Sequence, residues 1–159
     1  MSTVETELRE TVTAVTPRLL TLSEAEAGHP PAPGKWAPKE VIGHLIDSAS
    51  NNHQRFVRAR FTEDLVFPGY QQEEWVKAQH YASAPWTQLV GLWSSFNLHL
   101  ARVIEATPPA VRQKPRARHN LHELAWKAVP QSEPATLEYF MRDYVDHLRH
   151  HIAQIFPSA

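Results

Sequence analysis

Proline positions divide this chain into long intervals in which helices can form. The sequence has 13 prolines among 159 residues, and they cluster at 30–38 and again at 108–109. Proline lacks a backbone N–H and clashes with the preceding helical turn, so it is disfavoured inside helices and central strands. The intervals between the clusters are long enough for helices of about 20 residues, or roughly 30 Å each.

Four of these intervals carry apolar residues at helical spacing. Steps of three and four residues place side chains on one helical face, whereas the single strand-like piece, at 65–67, runs directly into a Pro-Gly turn. We therefore expect no β-sheet and predict an all-α four-helix bundle with long crossover loops, folded as one domain over residues 1–159. The four stripes are Val4, Leu8, Val12, Val15, Leu19 and Leu22; Val41, Leu45, Ser48, Asn52, Phe56 and Ala59; Trp86, Leu89, Val90, Trp93, Phe96, Leu100, Val103 and Ile104; and Leu137, Phe140, Tyr144, His147, Leu148, His151 and Ile155.

The connections between the predicted helices differ in length. Residues 29–37 form a short, proline-rich link, whereas 62–84 and 108–134 are long enough to cross the bundle or to cover one end. Pro17 falls within the first stripe and is expected to kink that helix. Because long ordered loops frequently carry functional residues, the two longer connections are candidates for contributing to a site.

The composition excludes several classes of protein. The chain has no cysteine, which rules out disulfides, a cysteine nucleophile and thiolate metal ligands. Its 16 Lys and Arg against 17 Asp and Glu lack the basic excess of a nucleic-acid-binding surface. No window is apolar enough for a membrane span, and the acidic start MSTVETELRE is unlike a signal peptide. We expect a cytoplasmic protein that acts on a small molecule, with neither nucleic acid nor membrane as a partner.

Two histidines of the last stripe have the spacing of metal ligands. His147 and His151 lie four residues apart, so both imidazoles can reach one ion from the same helical face. The residues between them include no glutamate, so the HExxH pattern of zinc proteases is absent. The alternative is a pair of core histidines hydrogen-bonded to neighbouring helices, and such a pair needs partners for all of its ring nitrogens.

His44 offers a third imidazole from the second predicted helix. It lies at the edge of the inward face, between Val41 and Ser48. Gly43 precedes it at a cost of about 1 kcal/mol relative to alanine, which either a close approach of backbone or ligand or ordinary helix packing explains. Three imidazoles from two facing helices can hold a divalent metal, Zn²⁺ or Ni²⁺, with one position open, which favours catalysis over a structural role.

These histidines lie in two motifs that resemble a known family. The segment PAPGKWAPKEVIGHLIDS at 31–48 and the segment DYVDHLRHHIAQI at 143–155 resemble the DinB/YfiT-like superfamily. The middle of the chain, with Pro-Gly-Tyr at 68–70, Trp-Val at 75–76 and Pro-Trp at 85–86, extends the resemblance over nearly the whole length.

The resemblance implies a four-helix bundle with one histidine on the second helix and two on the last, which match His44, His147 and His151. One departure is Ala37, where the family often has a capping Ser or Thr, so the helix start loses a cap while the site is unaffected. Similar proteins include metal-dependent hydrolases and thiol S-transferases such as bacillithiol transferases, with mycothiol-dependent maleylpyruvate isomerases as more distant relatives. The resemblance also makes a homodimer plausible.

Three classes of function therefore compete. The first is a metal-dependent enzyme, either a hydrolase or an S-transferase, and in a transferase the sulfur must come from a low-molecular-weight thiol cosubstrate because the chain has no cysteine. The second is a stress-response or binding bundle whose metal is structural. The third is a metal-free interaction protein whose histidines form a hydrogen-bonded cluster. We favour the first.

Supporting groups near the predicted site are two carboxylates and two tyrosines. Asp47 follows the second-helix histidine by three residues and is the candidate catalytic base or an acceptor behind the ligands, unless it is a surface carboxylate. Asp143 lies one turn before His147 and can accept its other N–H. Tyr70 and Tyr144 either line the pocket or belong to the core.

A basic run at 112–119 precedes the last helix. Within it, Arg116 and Arg118 are candidates for binding an anionic group of a cosubstrate, such as the carboxylates of a thiol, although most such runs are solvated loops. His119 and His122 form a weaker histidine pair. His150 points away from the face of the metal-ligand pair and is expected at a solvated edge.

Overall fold

The computed structural model describes residues 1–157 and consists of helices joined by long connections. Four helices are long, as predicted, and the others are short segments within the connections. The only β-type pairings in the described part are two isolated bridges, Leu65 with His119 and Arg116 with Ala135. The α-helices are α1 (Val4–Leu19), α2 (Glu24–Ala27), α3 (Pro38–Arg58), α4 (Gln72–Ala78), α5 (Trp86–Ala106), α6 (Pro109–Arg112), α7 (Leu121–Leu124) and α8 (Leu137–Ile155), with a 3₁₀ turn at Tyr81–Ser83.

The starts of the long helices follow from local sequence. Thr3 caps α1 and Thr136 caps α8, each through a side-chain oxygen that accepts a backbone N–H of the first turn. At the start of α3, Ala37 has no such oxygen, as expected, and Pro38 occupies the first helical position. Glu40 Oε1 accepts the Ala37 N–H at 3.1 Å, which supplies half of a capping box.

The order of the long helices around the bundle differs from their order in the chain. Helix α1 packs against α5 and α8, and α3 packs against the same two helices. Consecutive helices α1 and α3 are therefore diagonal to each other, as are α5 and α8. Both the first and the last connection cross the bundle, whereas the middle one, 59–85, joins neighbours and sends α4 against α3.

The first connection is longer than the link at 29–37 that the sequence predicts. Helix α1 ends at Leu19, two residues after Pro17, and residues 20–37, which include α2, span the diagonal. Leu22 lies beyond the helix and still packs against the core. Pro17 has no N–H to donate to the carbonyl four residues earlier, so it removes one hydrogen bond from the end of the helix.

The predicted apolar stripes form one core. The stripes of α1, α3, α5 and α8 are buried at almost every position. Several polar side chains of α3, α5 and α8 are buried as well, among them Asp47, Asn52, Arg55, Asn97 and Asp143. Burying polar groups costs free energy unless they are paired, so these residues mark where a functional site is expected. None of the helices in the described residues combines the length and apolarity needed to cross a membrane.

Candidate metal centre

The fold brings together the three histidines that the sequence singles out. His44 comes from α3, and His147 and His151 come from adjacent turns of α8. One nitrogen of each ring lies within 4.8 Å of the nitrogens of the other two. The Nε2 atoms of His147 and His151 are 3.0 Å apart. Three ring nitrogens at this separation are arranged to share one ion.

Burial keeps these imidazoles neutral. It lowers the pKa of His44 to about 4 and that of His147 to about 3, and neighbouring imidazoles add a smaller repulsion against a second positive charge. Burial also lowers the pKa of His151. A neutral imidazole presents a nitrogen lone pair, which is the form that binds a metal.

Side chains around the three histidines contact their rings. Gln154 Oε1 lies 2.9 Å from His151 Nδ1, so an N–H on Nδ1 donates to the amide and leaves Nε2 as the lone pair that faces the other histidines. Trp36 packs against His44, with ring centroids 5.1 Å apart and the ring planes tilted by 39°. On the other side, the Trp126 centroid is 6.2 Å from that of His147. The histidines therefore lie between two indole rings.

Asp143 lies one turn before His147 on α8 and does not hold the ring of that histidine. Its two carboxylate oxygens accept the backbone N–H groups of Trp126 and Lys127, each at 2.8 Å. The prediction that Asp143 accepts the N–H of His147 is wrong, because backbone N–H groups of the connection before α8 occupy both carboxylate oxygens. Asp143 thus anchors the segment that carries Trp126 to the site.

Asp47 joins α3 to the connection that follows it. Its Oδ1 accepts the Tyr81 hydroxyl at 2.7 Å and the Gln79 side-chain amide at 2.8 Å, and its Oδ2 is buried with no hydrogen-bond partner in residues 1–157. Burial raises the pKa of this carboxyl. A β-carbon on Gly43 would lie 2.2 Å from the Tyr81 ring, so glycine is what lets that ring reach its place. The catalytic role of Asp47 stays a prediction.

A cavity of about 460 Å³ opens beside His147 and His151. This volume is within the usual range for small-molecule sites. Both predicted tyrosines, Tyr70 and Tyr144, line it, and the Tyr144 hydroxyl donates to Asn97 Oδ1 at 2.5 Å. His150 also lines the cavity, exposed and packed on Trp126, as its position off the ligand face predicts.

Sequence reasoning missed the buried arginine of this cavity. Arg55 is buried, at 6% exposure, and lines the cavity together with Ser48 and Asn52 of the same helix. The signal was present in the sequence, since Arg55 lies about three turns after His44 and therefore on nearly the same face of α3.

The two arginines predicted to bind a cosubstrate lie elsewhere. Arg116 is 3% exposed, and its guanidinium donates to backbone carbonyls, the shortest being Thr62 O at 2.9 Å. Arg118 is exposed and pairs with Asp64 at 3.5 Å. Arg116 therefore ties the last connection to the end of α3, and the cavity beside the histidines is lined by other residues. The basic run is structural at Arg116 and solvated at Arg118.

The rings of His119 and His122 are further apart than those of His147 and His151, with centroid distances of 6.5 Å and 4.5 Å. His119 Nδ1 accepts the Leu121 N–H at 3.0 Å, and its Nε2 lies 2.6 Å from Glu133 O. Both ring nitrogens of His119 are thus used by the backbone of the last connection. This histidine is a structural residue.

Comparisons with known proteins agree with this architecture. The sequence model described as the DinB superfamily matches residues 7–155. Among solved structures, the chain is similar to YfiT from Bacillus subtilis, described as a probable metal-dependent hydrolase with an unusual four-helix bundle topology. The match has a TM-score of 0.77 and 21% sequence identity, and covers 96% of this chain and 82% of that one. No curated protein sequence matches the chain.

Proposed function

Because the chain belongs to the DinB superfamily and gathers three neutral imidazoles next to a cavity, we propose that it is a metal-dependent hydrolase of small molecules. The similar YfiT chain, described as a probable metal-dependent hydrolase, supports the same reaction class. The predicted ligands are His44, His147 and His151.

The observation that carries this proposal is the environment of His44. Its ring is fully buried, and neither ring nitrogen has a hydrogen-bond partner in residues 1–157. An unsatisfied buried polar group costs about 1–3 kcal/mol, which coordination to a cation would offset. A hydrogen-bonded histidine core would provide His44 with a partner, so the metal-free interaction protein is the weaker hypothesis.

The donor set fits a divalent ion such as Zn²⁺ or Ni²⁺. All three donors are imidazole nitrogens, and three protein ligands leave a position for a substrate. An ion held there supplies Lewis acidity toward a carbonyl group and toward water. The protein contributes orientation of His151 through Gln154, and Trp36 and Trp126 lie next to His44 and His147. Asp47 is the candidate base, through its unpartnered Oδ2.

A thiol S-transferase is the second candidate. The cavity of about 460 Å³ has room for a small thiol, and the chain offers no thiol of its own. A low-molecular-weight thiol, of the bacillithiol or mycothiol kind, would then be a required cosubstrate.

Metal content is the first test of the proposal. We expect the untagged protein to carry, or to take up, about one equivalent of zinc or nickel by plasma mass spectrometry, as a single mononuclear site requires. His147→Ala should lose the metal, whereas His29→Ala, at an exposed loop position, should keep it. A parent protein that holds no metal even after incubation with zinc or nickel would overturn the proposal.

Activity measurements then separate the candidates. Turnover of small esters or amides without added thiol supports the hydrolase, and product formation that requires a low-molecular-weight thiol supports the transferase. A chelator that lowers the melting temperature of a protein without any turnover would instead support a structural metal.

A further inference from the structure

Arg55 is a buried cation without a carboxylate partner. It is 6% exposed, and no salt bridge within residues 1–157 includes it. Burial lowers the pKa of its guanidinium, and the chief group that opposes this effect is the Tyr70 phenol. A buried charge is costly unless it is paired, so Arg55 is held at a cost that an anionic ligand would relieve.

Neighbouring groups hold the Arg55 guanidinium in place and leave donors free. Nη2 donates to the Pro68 carbonyl at 3.0 Å, and Nη1 lies 3.4 Å from Asn52 Oδ1. The guanidinium carbon lies 5.9 Å from the ring centroids of both Tyr70 and Phe140. A guanidinium has five N–H donors, and the two that are used here leave the rest available to an oxyanion.

The cavity connects Arg55 with the histidines. Ser48, Asn52 and Arg55 line it from α3, and His147 and His151 line it from α8. Arg55 lies three turns beyond His44, which places the two backbones roughly 16 Å apart along the helix axis. A ligand that reaches from one end to the other is therefore extended.

The two acidic residues of the cavity lining do not neutralise Arg55. Asp143 lines the cavity, but its oxygens accept the backbone N–H groups of Trp126 and Lys127. Glu123 has an exposed side chain that lies 3.4 Å from His122. The positive charge of Arg55 is thus the one available to a ligand.

We propose that Arg55 is a substrate-binding residue that pairs with the terminal carboxylate of an extended small molecule whose other end reaches His147 and His151, the two candidate metal ligands that line the cavity. The inference rests on the proposed function and adds the substrate class to it. The planar guanidinium fork receives the two carboxylate oxygens, and the Tyr70 and Phe140 rings line the cavity next to it. Acids of this class are favoured over their neutral amides.

Calorimetric titration with matched probes tests the proposal. The probes are linear carboxylates from butanoate to octanoate and the primary amides of the same chains, added to protein with and without zinc. We expect the acids to bind more tightly than the amides. Arg55→Gln should weaken acid binding about tenfold or more and leave amide binding unchanged. The matched control, Arg58→Gln, removes an exposed arginine of the same helix and should retain the acid preference.

The possible outcomes separate this inference from the proposed function. Acids that bind no more tightly than amides, or an equal loss in both variants, would overturn the role of Arg55 whether or not zinc binds. An acid preference in a protein that never takes up zinc would support Arg55 and contradict the metal site. If Arg55→Gln does not fold, Arg55→Lys decides, because it keeps the charge without the fork: weakened acid binding supports the proposal, and unchanged binding overturns it.

Discussion

Gly43 and His44 are adjacent on α3 and pack against different elements, Gly43 against the 3₁₀ turn at Tyr81–Ser83 and His44 against α8. His44 faces the two histidines of α8, whereas Gly43 leaves room for the Tyr81 ring, whose hydroxyl donates to Asp47. The sequence allows two explanations for Gly43, a close approach of backbone or ligand and ordinary helix packing. In the structure, the group that packs closely against Gly43 is the aromatic side chain of Tyr81. The glycine therefore positions Asp47 indirectly.

Gly43→Ala tests this packing. The added β-carbon would lie 2.2 Å from the Tyr81 ring, so the ring must move, and we expect a loss of about 1–3 kcal/mol in the free energy of unfolding, measured with urea. The control is Gly91→Ala in α5, where nothing lies within 4 Å of the new carbon and alanine should stabilise the helix by up to about 1 kcal/mol. Equal effects of the two changes would contradict the packing role of Gly43.

The last connection, between α5 and α8, does more than link two long helices. The segment that leads into α8 carries Trp126 against His147 and is fastened by Asp143. The same connection is held further back by Arg116, which donates to carbonyls at the end of α3 and in the loop after it. Buried charged groups that bond to backbone order an otherwise irregular segment, because each such hydrogen bond to a charge stabilises by about 1.5–3 kcal/mol.

Asp143→Ala should release the segment at Trp126. We expect a loss of about 2 kcal/mol in the free energy of unfolding and faster hydrogen exchange at the Trp126 and Lys127 amides, since both lose their acceptor. Asp146→Ala is the control: it removes only a partly exposed carboxylate 3.5 Å from Lys127 Nζ, so its cost should be under about 1 kcal/mol. Unchanged exchange at these two amides in Asp143→Ala would show that the segment is held by other contacts.

The three histidines connect parts of the chain that are far apart in sequence. His44 lies on α3, and the other two lie on α8, which packs against α3 in the bundle. A metal held by all three would cross-link the two helices. Because an unfolded chain has no such arrangement of ligands, binding would stabilise the folded state in proportion to its affinity.

Zinc should therefore raise the melting temperature of the whole protein. At a free concentration of about 100 times the dissociation constant, the gain is about 2.7 kcal/mol, or roughly 5–10 °C for a chain of this size. Scanning calorimetry should show this shift in the parent and in His29→Ala, and no shift in His147→Ala or after a chelator is added. A shift that survives in His147→Ala would place the metal elsewhere.

The four long helices and the three candidate histidines can be identified from the sequence alone. Proline clusters and apolar steps of three and four residues indicate the four long helices, and one histidine at the edge of a stripe and two within another indicate the candidate metal site. The helices and the four-residue spacing of His147 and His151 are local patterns, because helix formation depends on residues within a few turns of one another. The family assignment is confirmed. It could be made from the sequence because the family motifs are contiguous segments.

The tertiary structure decided the diagonal order of the helices, the partners of Asp143 and Arg116, and the burial of Arg55 in the lining of the cavity that His147 and His151 also line. A connection of given length can reach either a neighbouring or a diagonal helix, so sequence spacing does not specify which faces meet. A charged side chain likewise carries no local mark of what will surround it. Its partner, or the lack of one, is set by segments that approach only when the whole core packs.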